Sequence, residues 1–161
     1  MSKHKFKIIL YSALTFSVIC AIYFFSAQDS DLSQETSDGF LAVFSKLFEK
    51  LPRLSNKGVS YDVRKYAHMT EFFGLACSCS LLSFEIFRYK KFRFLLSPLL
   101  SFLFSFLIAS GDELHQFFVP GRSAEFRDVL IDSVGIFLGT VFILVIHLII
   151  FTAKKGRQSN G

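Results

Sequence analysis

The stretch DELHQFFVPGRSAEFRD, Asp112 to Asp128, is where this chain departs from a plain membrane anchor. It follows an uncharged run of 18 residues, Phe94 to Gly111, and a second apolar run begins directly after Asp128. Each run is close to the roughly 20 residues that a helix needs to cross a bilayer core. Between them lie acids, a histidine, a glutamine and two arginines, all in one corner. One charge at such a boundary simply faces water. A cluster this dense marks either a site or a lock between helix ends.

Composition agrees with a membrane setting. The chain has 161 residues, 52% of them hydrophobic, and its long uncharged runs exclude an ordinary soluble domain. The net charge of +5 does not point to nucleic acid, because the basic residues sit at the ends of apolar runs, where membrane topology explains them. Cys20, Cys77 and Cys79 all fall inside apolar segments. Cys77 and Cys79 are two apart and point to different sides of a helix, so they form neither a disulfide framework nor a metal motif. All three read as small packing residues.

Four membrane spans are expected, at about 7–27, 66–87, 93–116 and 128–151, in one domain covering 1–161. The fold class is an all-α polytopic membrane bundle. The first apolar core is too long for a signal peptide, and Phe25 stands where a cleavage site needs a small side chain. It is read as a retained helix. Residues 28–65 form an external loop that opens polar and acidic. Within it Phe40, Leu41, Val43, Phe44, Leu47, Phe48 and Leu51 recur at helical spacing, which predicts a short amphipathic helix on the membrane surface or over the bundle mouth. Leu54 to Ser60 reads as a turn, Pro98 as a kink in the third span, and 152–161 as a basic, disordered tail.

Helical periodicity sorts the polar residues onto faces. Arg64, His68 and Glu71 share one face of the second span, continued by Leu75, Ser78, Cys79 and Leu82. On the third span, Ser101, Ser105 and Asp112 align with His115 and Gln116. On the fourth, Asp128, Asp132, Gly135 and Gly139 align. Gly-x-x-x-Gly allows close helix approach in lipid, so this register aims both aspartates at a neighbouring helix.

Four spans put both termini on one side. That side carries ten of the Lys and Arg residues, tightly clustered at span ends, against eight on the other. The bias places both termini in the cytoplasm and the polar corner outside.

The ionisable groups at three helix ends allow two readings. As a site, His68 and Glu71 are acid–base candidates, with Asp112, Glu113 and His115 as catalytic or orienting partners. Lys65, Gln116, Arg122, Arg127, Asp128 and Asp132 would bind the substrate, the arginines as an anion clamp. As a lock, Arg64, Lys65, Arg122 and Arg127 neutralise the acids and hold helix ends together. The lock explains His68, His115 and Gln116 less well, since it needs no groups that switch near neutrality. No nucleophile elbow, His-Glu-x-x-His or phosphate-binding glycine loop occurs. The nitrogen and oxygen donors match no metal-site spacing, and no cofactor is implied. His4 and His147 are isolated and carry no expected role.

Taken in order, RKYAHMTEFFGLA and DELHQFFVPGRSAEFRDVLIDSVGIFLG resemble the VanZ-like family of bacterial integral membrane proteins. The matching residues are Lys65, His68, Glu71 and Phe72, then Asp112, Glu113, His115, Gln116, Pro120, Gly121, Arg122, Arg127 and Asp128. FSAQDSDLS, after the first span, resembles a further family feature more loosely. Asp132 departs from the pattern, which often has Asn there. The resemblance implies a bacterial cytoplasmic-membrane protein of the cell envelope. The family is named for an accessory member of glycopeptide-resistance clusters linked to teicoplanin, and it supplies no established reaction. The expected function is binding of a lipid-linked cell-wall precursor or a lipid head group, with or without its modification, and with membrane lipid or a glycopeptide as partner. The alternatives are a non-catalytic adaptor with an ion-pair lock, and a small transporter built by dimerisation.

Overall fold

A computed structural model of the chain describes residues 2–29, 31–36, 38–39, 57–90, 96–122 and 125–159. It is all-α. The helices in chain order are α1 (Lys3–Ser26), a short α2 (31–36), α3 (Lys57–Lys90), α4 (Leu96–Gln116) and α5 (Phe126–Ser159). The stretches Lys3–Ser26, Lys65–Lys90 and Phe126–Ala153 are long and apolar enough to cross a membrane. The third expected span, 93–116, corresponds to α4, a helix of 21 residues whose apolar run ends in Asp112 and Glu113.

Pairings between distant residues set the helix directions. His4 meets Glu85 and Tyr23 meets His115, so α1 runs against α3 and along α4. Ser83 bonds Ser97 and Ser101, so α4 lies antiparallel to α3. Lys65 bonds Asp128 and Phe84 stacks on His147, so α5 runs parallel to α3. The helices α3, α4 and α5 each touch the other two, and α1 packs on α3 and α4. Both chain termini therefore lie at one end of the bundle, and the DELHQ corner lies at the other.

The interior is narrow. Its core is Ile22, Phe72, Leu75, Ala76, Cys79, Ala109 and Ile136. Large apolar side chains point outward instead, among them Phe16, Phe24, Leu107, Phe137 and Phe151. Apolar residues outside and serines inside is the pattern of a bundle solvated by lipid tails, where burying a Leu gains little and small polar residues join the helices.

Two such seams organise the bundle. Between α5 and α3, a Cβ added at Gly135 would overlap the Met69 carbonyl, and one at Gly139 would stand 2.5 Å from the Phe73 carbonyl oxygen. The expected glycine face is thus the α3–α5 contact. Between α3 and α4, the Ser83 hydroxyl lies 2.6 Å from those of both Ser97 and Ser101, and Ser101 donates to the Ser97 carbonyl at 2.9 Å.

Several sequence expectations need correction. The second helix starts at Lys57 rather than near residue 66, so 57–60 is helical and not a turn. No proline interrupts the chain from there to Lys90, and the helix simply extends beyond the apolar stretch. The last helix continues to Ser159, where a disordered tail was expected. Pro98 stands in the first described turn of α4, at the end away from the DELHQ corner. The polar stretch after α1 holds α2, whose Leu32 N–H donates to the Asp29 carboxylate at 2.8 Å as an N-cap. The amphipathic pattern at 40–51 lies outside the described residues. His4 is not isolated: its Nδ1 meets the buried Glu85 carboxylate. Nor is His147, which stacks on Phe84 with ring centroids 4.2 Å apart.

Candidate functional site

Helical spacing carries Lys65, His68 and Glu71 down one side of α3, one turn at a time. The Lys65 ammonium donates to Asp128 at the start of α5. His68 Nδ1 lies 3.7 Å from Glu71 Oε2. On α4, Asp112 is fully buried and accepts a bond of 2.9 Å from the Gln116 carboxamide, its neighbour one turn on. Glu113 is also buried, and its Oε2 accepts the Glu125 N–H at 3.4 Å. On α5, Asp132 stands one turn deeper than Asp128 and is 2% exposed.

The turn from α4 to α5 has its own logic. Gly121 has φ of 74°, the Arg122 N–H donates to the Val119 carboxyl-side carbonyl oxygen at 3.2 Å, and Pro120 lies between. Proline then glycine with positive φ is the type II turn pattern. It folds Arg122 back over the helix ends, where Nη2 donates to Ser33 of α2 at 2.8 Å.

These residues enclose a cavity of about 80 Å³ lined by Lys65, His68, Glu113, Gln116, Gly121, Arg122, Glu125, Asp128, Ile131 and Asp132. That is room for several waters or a small polar group. The lining brings together two cations and a histidine with four acids. Asp132 Oδ2 is buried and has no hydrogen-bond partner among the described residues. No group of three His, Cys, Asp or Glu side chains among those residues is placed to share a metal ion.

The expected site residues are therefore distributed as follows. Lys65, His68, Glu113, Gln116, Arg122, Asp128 and Asp132 line one cavity. Asp112 backs it through Gln116, and Glu71 borders it through His68. His115 turns toward α1, where the Tyr23 ring meets it edge-on at 5.8 Å. Arg127 is exposed and outside the lining. The side chain of Arg64 lies outside the described residues.

The sequence reading built the site from three helices and missed the share of α1 and α2. Ser33 holds Arg122, Tyr23 meets His115, and the fully buried Ser26 hydroxyl lies beside Asp112. Ser26 and Ser33 both belong to FSAQDSDLS, so the signal was that polar stretch directly after an apolar span. Glu125 was missed as well. It lies in the turn, where charge is unremarkable.

A family profile described as VanZ/LLP1 matches residues 8–149, which includes every residue of the cavity. Comparison with curated proteins and with solved structures finds no match.

Proposed function

The chain belongs to the VanZ/LLP1 family, and from that premise we propose that it is a cell-envelope membrane protein whose polar cavity binds the head group of a membrane lipid or lipid-linked cell-wall precursor. The observation that carries this reading is the state of Asp132, which lines the cavity, is buried, and keeps a carboxyl oxygen without a hydrogen-bond partner among the described residues. A lock between helix ends would pair such a group, because a buried polar atom left unsatisfied is unfavourable. A binding site leaves it for a ligand. Lys65 and Arg122, on the same lining, supply positive charge for a phosphate.

Any proton transfer to or from the bound head falls to His68 and Glu71, which face each other at the cavity edge. The positive residues clustered at the terminal end of the bundle support placing that end in the cytoplasm and the cavity outside. There, binding of a wall-precursor head would alter the action of a glycopeptide such as teicoplanin.

A second reading, the non-catalytic lock, draws on the Lys65–Asp128 pair and the Arg122–Ser33 bond. Replacing His68 and Glu71 by Gln separates the two. Normal membrane abundance with a lost envelope or glycopeptide phenotype supports the site. Lost abundance supports the lock.

A further inference from the structure

We propose that the floor of this cavity takes a primary ammonium, so that the ligand is a small lipid head group with an amine at its tip and a phosphate at its base. This rests on the head-group reading above and narrows it to a substrate class. The cavity has a polarity from mouth to floor. Lys65 and Asp128 pair where their side chains are still 14% and 25% exposed. One turn further into the bundle Asp132 is 2% exposed, with Glu113 on the facing helix at 6%. Positive charge thus sits at the mouth with Lys65 and Arg122, while the floor is acidic.

No cation of the described chain bonds to Asp132, whose Oδ2 has no hydrogen-bond partner among the described residues and which lines the cavity. Buried carboxyl groups that lie close together are neutralised either by a proton or by positive charge placed between them. The described side chains do not form a metal-binding group. An ammonium fits better, because it brings one charge and three N–H donors. The floor offers matching acceptors: Asp132 Oδ2, the Glu113 carboxylate, and the Gln116 carboxamide oxygen, whose amide nitrogen is already committed to Asp112. The volume of about 80 Å³ suits an aminoethyl group and its phosphate at the mouth. A trimethylated amine has no N–H to donate and is wider. A glycerol head brings hydroxyls but no charge.

The test uses the full chain in nanodiscs containing phosphatidylethanolamine, phosphatidylcholine and phosphatidylglycerol in equal parts, with retained lipid read by native mass spectrometry. The expected result is retention of phosphatidylethanolamine roughly tenfold or more over the other two, the scale of a charge-assisted hydrogen bond left unmade. Asp132→Asn should abolish that preference, whereas Lys65→Gln should weaken retention of all phosphate heads alike. If Asp132→Asn does not accumulate, Glu113→Gln carries the same expectation. Soluble O-phosphoethanolamine should compete; failure to compete would assign retention to the acyl chains and overturn the proposal. Equal retention of phosphatidylethanolamine with either other lipid overturns the ammonium site and leaves head-group binding standing. No retention of any lipid overturns both.

Discussion

Gly135 of α5 lies against the Met69 carbonyl of α3 with no room for a methyl group between them. Gly139 repeats the contact one turn on, against Phe73. This seam brings Asp128 to Lys65 and presses Asp132 into the bundle. Gly135→Ala should therefore lower membrane accumulation, with overpacking costing about 1–3 kcal/mol. Gly74→Ala is the matched control, since an added Cβ there meets nothing within 4 Å. Thermal unfolding in detergent, compared across the two variants, reads the difference.

The Lys65–Asp128 contact joins the start of α5 to α3 across 63 residues of chain. Lys65→Gln or Asp128→Asn should each destabilise by about 1.5–3 kcal/mol, the range for hydrogen bonds to charged groups. The exchanged pair Lys65→Asp with Asp128→Lys should recover part of that loss. Unfolding midpoints of the two single variants and the exchanged pair test it. An exchanged pair no better than the sum of the singles would mean the contact contributes nothing.

At the opposite end, Glu85 is buried and its partner is His4, 81 residues away. His4→Ala should destabilise the natural chain and have little effect once Glu85 is replaced by Leu. A double-mutant cycle on unfolding midpoints isolates the pair. Equal effects of His4→Ala in both backgrounds would show that the contact has no energetic weight.

The serine seam should behave differently from the glycine seam. Ser101→Ala removes hydroxyl contacts with Ser83 and Ser97 without adding volume. Interhelical hydrogen bonds in membranes average about 0.6 kcal/mol, so the loss should be small. Ser101→Leu, at a position 2% exposed, should separate α3 from α4 and abolish accumulation. Quantifying both variants in membranes distinguishes packing from bonding.

Helical period made much of this legible in the sequence. Asp128, Asp132, Gly135 and Gly139 share a face because 3.6 residues make a turn, and that face is the α3 contact. Ser101, Ser105 and Asp112 were legible in the same way, and all are buried. What stayed hidden depends on contacts that leave no local pattern. Ser33 and Arg122 are 89 residues apart, and a serine in a polar stretch does not announce its partner. A histidine near the amino terminus and a glutamate near the end of α3 look equally ordinary until the bundle brings them together. The extension of α5 to Ser159 was missed because hydropathy marks where lipid ends, not where a helix ends.

The reading of the polar end as a binding site meets its most direct test in a structure of the full chain determined in a lipid bilayer. Non-protein density should occupy the cavity and contact Asp132 from one side and Lys65 or Arg122 from the other. A closed cavity, with Asp112 and Asp132 both bonded to cations of the chain itself, would make the cluster a lock.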